Sequence, residues 1–257
     1  MISPAFRLVV GIVLLFSSSV RAAELTVAAA ANVKFALDEL VTVFHTNQTD
    51  IRVKVTYGSS GNFFAQLQNR APFDLFLSAD MEYAEKLAEA GLALDTNVFP
   101  YAVGRIVVWT RTNSTVDVQN LGMQALLDPA VKKIAIANPR VAPYGQAAVA
   151  AMNEYKVYEE VKAKLVLGEN ISQTAQFVQS GAADVGIIAL SLALAPPTRA
   201  EGRYWEIPSA AHPNVRQGGI ILRWSKEPDA AREFRDFLRS EPAVEVLKRY
   251  GYGIPKG

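Results

Sequence analysis

The chain has 257 residues, 50% of them hydrophobic, and its 26 Lys and Arg against 25 Asp and Glu leave a net charge of +1. That balance excludes the basic face that nucleic-acid binding needs, so no nucleic-acid partner is expected. The absence of cysteine excludes disulfides and thiol nucleophiles, and the two histidines, His45 and His212, stand in unrelated segments and cannot build a typical zinc centre.

Residues 1–22 read as a signal peptide. Arg7 supplies positive charge, residues 8–16 form an apolar run too short to span a bilayer, and small residues follow, with Val20 and Ala22 at small-x-small positions. Cleavage is expected after Ala22, and an uncleaved anchor fits the short run less well. No cysteine follows for lipid attachment. The mature chain is expected in a bacterial periplasm, and losing Arg7 and Arg21 turns its charge from +1 to −1. About 235 residues remain, enough for one large domain or two lobes of ~100 residues each.

A short strand over 25–28 passes through small residues to Asn32, where an amphipathic helix with the stripe Val33, Leu37, Leu40, Val41 and Phe44 begins. Asn32 suits its N-cap. Ile51, Val53, Val55 and Tyr57 alternate with polar residues as a half-buried strand, followed by Gly58-Ser59-Ser60-Gly61 and a helix over 62–69. A buried strand over 74–78 leads to Asp80, which caps a helix ended by Gly91. Near 101–108 the chain passes into a second unit. Its strands fall at 105–110, 133–137, 164–167 and 184–188 and its helices at 145–153 and 172–179. A returning strand at 217–223 precedes two helices opened by Pro228 and Pro242.

Alternating strands and helices predict an α/β fold of two lobes, each a mostly parallel sheet flanked by helices, joined by two crossing strands. The first lobe takes 23–104 plus 218–257 and the second 105–217. Ligands of such sheets sit beyond the carboxyl ends of the strands.

Four strand-to-helix junctions fall there: Ala31-Asn32, the turn around Ser60, the segment 138–145 ending at Tyr144-Gly145, and 168–172 with Ile171. Each helix start presents unpaired N–H groups and partial positive charge to a crevice, which is a site for an anion. Each also has a plain reading: Asn32 as a cap, Ser59 and Ser60 as a polar turn, Tyr144 as a surface residue, Ile171 as core. Neutral donors alone suit a small, fully deprotonated oxyanion, because a protonated one brings a hydrogen that finds no acceptor. Lys34 and Glu169 must then point away from it.

TVAAAANVKFALDEL, YGSSGNFFAQL, APFDLFLSAD, ANPRVAPYGQAA and the closing VLKRYGY occur in that order over nearly the whole mature chain. In these segments the sequence resembles the periplasmic molybdate-binding proteins of ABC importers. The resemblance implies a type II periplasmic binding protein fold whose lobes close on a tetrahedral oxyanion. Carried over by position, Asn32, Ser60, the N–H of Tyr144 and the N–H of Ile171 contact the ligand, with the Ala31 backbone contributing. Many members have serine where this chain has Asn32, and some place a tyrosine hydroxyl where it has Ala189.

The expected function is capture of molybdate, and also tungstate, for a membrane permease, by a monomer with no cofactor, no direct metal-ion ligand and no catalysis. Two alternatives stand beside it. One is a binding protein for sulfate, thiosulfate or another oxyanion. The other is a secreted ester hydrolase using Ser60, for which the sequence offers no evident base.

Overall fold

The computed structural model describes residues 22–95 and 98–255, so the expected signal peptide lies outside them apart from Ala22. The chain opens with β1 (Ala23–Ala30), a single 3-10 turn (Ala31–Val33) and α1 (Lys34–Asn47). Then come β2 (Ile51–Gly58), α2 (Ser60–Gln68), β3 (Leu75–Leu77), α3 (Glu82–Glu89) and β4 (Phe99–Gly104). After Arg105 follow β5 (Ile106–Arg111), α4 (Val118–Leu121), β6 (Ile134–Ala137), α5 (Pro143–Glu154) and α6 (Tyr158–Val161). Next are β7 (Leu165–Gly168), α7 (Ile171–Gln179), β8 (Val185–Ala189), α8 (Leu190–Ala193) and β9 (Gly202–Glu206). The chain closes with β10 (Val215–Ile221), α9 (Pro228–Leu238) and α10 (Glu241–Arg249).

Two five-stranded sheets result, ordered β2-β1-β3-β10-β4 and β7-β6-β8-β5-β9. In the first, β1 runs parallel to β2 and β3, while β10 is antiparallel to β3 and β4. In the second, β6 runs parallel to β7 and β8, while β5 is antiparallel to β8 and β9. Each sheet therefore has one reversed strand, and that strand is the one arriving from the other lobe. The passages β4 to β5 and β9 to β10 are the two crossings between lobes.

Period-two alternation decides which side of the first sheet each residue covers. Leu25, Val27 and Ala29 of β1 pack with Leu37, Leu40 and Phe44 of α1 and with Phe234 and Leu247 of the last two helices. Ala28 faces the other way, toward Phe63, Leu67 and Leu87 of α2 and α3. The rings of Phe44 and Phe234 meet edge to face at 5.0 Å. Each such side chain contributes roughly 1.5–3 kcal/mol of burial.

Alanine is a poor strand former, yet four consecutive alanines, Ala28 to Ala31, carry β1 into the cleft. Their small size has a tertiary reason. Ala30, Ala31 and Ala79 of the first lobe pack within the core of the second, and larger side chains there would hold the lobes apart.

β4 and β9 escape the sequence reading. β4 carries Pro100, which weakens a strand signal and is tolerated at a sheet edge. β9 is also an edge strand, half-buried along its whole length, so it shows no apolar alternation.

Candidate functional site

Ala31, Asn32, Ser60, Tyr144 and Ile171, expected from four separate junctions, line one small cavity between the lobes. Ala30, Gly58, Ser59, Ala79, Ala142 and Pro143 complete its wall, and no Lys, Arg, His, Asp or Glu lines it. The wall comes from the carboxyl ends of β1, β2, β3, β6 and β7, as expected for ligand sites of open parallel sheets.

Helix starts explain which N–H groups remain available. Ser59 caps α2 by accepting from Asn62 N–H, and Asn170 caps α7 by accepting from Gln173 N–H at 3.0 Å. Both caps take the third helical N–H, so the first, on Ser60 and on Ile171, has no acceptor within its helix. α5 begins with Pro143, which has no N–H, so its first donor is Tyr144. α5 lies tight on the strand before it: a Cβ on Gly145 would sit 2.1 Å from the Ala137 carbonyl. Ala31 and Asn32 open the 3-10 turn after β1, and their N–H groups likewise have no acceptor inside it.

The Ser60 hydroxyl is fully buried and its polarity is set by a neighbour. Ala79 N–H donates to Ser60 Oγ at 2.9 Å, which leaves the hydroxyl hydrogen to be donated elsewhere. A backbone N–H and a side-chain O–H on Ser60 thus serve the same wall.

Contacts between lobes close over the cavity. Gly61 N–H donates to the Val141 carbonyl at 2.8 Å. The hydroxyl of Ser172 donates to the Ala31 carbonyl at 2.8 Å, and that of Ser191 to the Asn32 carbonyl at 2.9 Å. The second lobe thereby takes up carbonyls of the 3-10 turn.

One expectation about Asn32 is corrected. It caps no helix: neither the 3-10 turn nor α1 has a side-chain cap. Nor is its amide free to donate in this arrangement. Nδ2 gives its hydrogens to Gln217 Oε1 at 3.0 Å and to the Tyr252 hydroxyl at 2.9 Å. Tertiary partners, which local spacing does not reveal, have overridden the local rule. The plain reading of Ile171 holds for its side chain, which is core, while its backbone lines the cavity. Tyr144 is buried rather than on the surface.

Sequence reasoning missed Gln217 and gave Tyr252 no part in the site. Gln217 is fully buried; its Nε2 donates to the Tyr144 hydroxyl at 3.0 Å, and its Oε1 accepts from the Tyr101 hydroxyl at 2.8 Å. Burial pushes the hydroxyls of Tyr101, Tyr144 and Tyr252 above the ordinary tyrosine range, so all three stay protonated. The buried VLKRYGY tyrosine at position 252 therefore serves the site by gripping Asn32. Ala189, at the end of β8, is buried and offers no donor side chain.

Lys34 and Glu169 stay off the cavity wall. Lys34 pairs with Asp38 at 2.8 Å and lies over the Tyr57 ring, while Glu169 accepts from Asn62 Nδ2 across the cleft at 3.4 Å. A wider cleft of about 290 Å³ abuts the cavity through Pro143, but along it Asp80, Glu82 and Glu85 outnumber the one cation, Arg216. Burial raises the Asp80 carboxyl, and the three carboxylates repel an anion. His45 and His212 line neither, and among the described residues no group of metal-ligating side chains is present.

Comparison with known proteins gives the family and the fold. Residues 25–253 match the family model of the bacterial extracellular solute-binding proteins. The chain is 38% identical over 240 residues to the molybdate-binding protein ModA of Azotobacter vinelandii, covering 93% of this chain and 94% of that protein. It is 36% identical over 248 residues to ModA of Rhodobacter capsulatus, covering 96% and 94%. The solved periplasmic molybdate-binding protein of Azotobacter vinelandii superimposes with a TM-score of 0.84 at 31% identity, over 90% of this chain and 100% of that one.

Proposed function

The chain belongs to the bacterial extracellular solute-binding protein family, and from that premise we propose that it captures molybdate in the periplasm and delivers it to the permease of an ABC importer. The observation that carries this reading is the convergence of uncharged donors on one cavity: the N–H groups of Ser60, Tyr144 and Ile171 and the hydroxyl of Ser60, with no charged side chain in the wall. A buried anion without a counter-ion is tolerated when many oriented dipoles replace its water. Three helix starts and a 3-10 turn supply them. The names of the relatives, which bind molybdate, support the choice among oxyanions.

The ligand contacts on this reading are Ser60 through N–H and hydroxyl, Tyr144 and Ile171 through N–H, and the Ala31-Asn32 turn through its backbone. Tungstate, nearly equal in size and charge, binds as well. Hydrogen phosphate is refused because its hydrogen meets only donors. Sulfate is smaller and fails to reach all donors together. The protein works as a monomer, without cofactor or catalysis; no acid or base lines the cavity to activate Ser60.

Titration calorimetry of the mature chain with molybdate, tungstate, sulfate and phosphate tests the proposal. Tight binding of the first two, weaker sulfate and no phosphate are expected. Sulfate binding as tightly as molybdate overturns the assignment.

A further inference from the structure

Asn32 is 1% exposed, and after Nδ2 has given both hydrogens to Gln217 and Tyr252 its Oδ1 is left buried with no hydrogen-bond partner. A native buried carboxamide oxygen without a partner calls for an explanation. This one belongs to a residue that lines the anion cavity, where an acceptor oxygen would repel the ligand.

Gln217 supplies the second observation. The pairing of β10 with β4 shifts register at Gln217 and Gly218, with Gln217 opposite Ala102 and Gly218 opposite Pro100. Tyr101 is thus the extra residue of a β-bulge, a device that re-aims side chains. Its hydroxyl reaches both Gln217 Oε1 at 2.8 Å and the Ser78 carbonyl at 3.0 Å, although it has one hydrogen to give.

The geometry points to a coupled amide pair: Asn32 and Gln217 turn over together when the oxyanion binds, and Gln217 is the positioning residue that sets which end of the Asn32 amide faces the cavity. Half a turn of each carboxamide exchanges its oxygen and nitrogen. Asn32 Oδ1 then accepts from Gln217 Nε2 and from the Tyr252 hydroxyl. The other hydrogen of Gln217 Nε2 goes to the Tyr101 oxygen, and Tyr101 donates to the Ser78 carbonyl. Gln217 Oε1 accepts from the Tyr144 hydroxyl. Ser191 keeps its bond to the Asn32 carbonyl. To reach Asn32 Oδ1 the Tyr252 hydroxyl gives up the Asn32 carbonyl and Ser191 Oγ, which it reaches at 2.9 and 3.0 Å, and Asn32 Nδ2 takes the place of the orphaned oxygen with hydrogen to give. An oxyanion oxygen completes the network; in the arrangement described above it is one partner short.

The inference rests on the oxyanion reading of the site. It is tested with molybdate as probe, by following the side-chain amide signals of the 15N-labelled mature protein and by calorimetry of Asn32→Ala, Gln217→Met and the double variant. The signals of Asn32 and Gln217 are expected to move together on saturation. Gln217→Met is expected to weaken binding about tenfold more in the native background than once Asn32 is alanine, where it removes only the bond to the Tyr144 hydroxyl. A purely structural Gln217 would weaken both backgrounds equally, and that result overturns the inference. An unmoved Asn32 amide in molybdate-saturated wild type also overturns it, and needs no variant to fold. Wild type that binds no molybdate overturns the functional reading itself, along with the pair.

Discussion

Gln217 on the returning strand of the first lobe donates from Nε2 to the hydroxyl of Tyr144 on the second, 3.0 Å away. The residue that presents a backbone N–H to the cavity thus anchors its side chain across the lobe boundary. Tyr144→Phe keeps the N–H and removes this anchor. Molybdate affinity is expected to fall by roughly 0.5–1.5 kcal/mol, up to about tenfold, and calorimetry checks it. An abolished interaction would mean that the hydroxyl, rather than the N–H, is what the ligand uses.

Ser60 combines two donors in one residue. Ser60→Ala removes the hydroxyl and also leaves Ala79 N–H without its acceptor. The expected loss is about 1–3 kcal/mol in molybdate binding. Unchanged affinity would remove the Ser60 side chain from the ligand's contacts.

Gly61 permits close approach of the lobes. An added Cβ would lie 2.8 Å from both the Val141 carbonyl and the Tyr83 hydroxyl. Tyr83 lies in the same lobe and its hydroxyl can swing aside, but Val141 is backbone of the opposite lobe. Gly61→Ala is expected to preserve folding, since alanine suits a helix better than glycine. Molybdate affinity should drop roughly a hundredfold, about 2.7 kcal/mol. Small-angle scattering of the molybdate-treated variant should show a more open molecule than wild type.

Asp74 ties three segments of the first lobe together. Its carboxylate accepts from Thr26 N–H at 2.8 Å and Thr26 hydroxyl at 2.6 Å, from Ser225 hydroxyl at 2.9 Å and from Lys226 N–H at 2.8 Å. Burial by itself raises such a carboxyl, but these donors outweigh it and hold the group below the ordinary carboxylate range. The folded state therefore binds its proton less readily than the unfolded one. The stabilisation is present above the ordinary carboxylate pKa and is lost as pH falls through the lowered one. Asp74→Asn is expected to be less stable at neutral pH and to lose less further stability between about pH 5 and pH 3. Urea unfolding across that range checks it. Asp80, raised by burial, contributes with the opposite sign and is present in both proteins.

The four junctions of the cavity wall were legible as local strand-to-helix patterns, while the individual contacts came from the resemblance; the structure adds the local reason that these helix starts keep free donors. Pro143 silences one N–H and makes Tyr144 the first donor; Ser59 and Asn170 cap three residues ahead and free Ser60 and Ile171. The hydrogen-bonded layer behind the wall was not legible. Gln217 lies 185 residues from Asn32 and Tyr252 lies 220, distances that no local pattern spans. Asn32 itself shows the limit: it has the chemistry of a cap, and two remote partners turn its amide elsewhere. The edge strands β4 and β9 were lost for a different reason, since a proline and uniform half-burial erase the alternation by which strands are recognised.

The most direct measurement is a crystal structure of the mature chain grown with molybdate, the metal located by its anomalous scattering. The account predicts one tetrahedral anion in the cavity, its oxygens about 2.7–3.0 Å from the nitrogens of Ser60, Tyr144 and Ile171 and from Ser60 Oγ. Molybdenum held by Lys34 or any arginine, or seated outside this cavity, would contradict it.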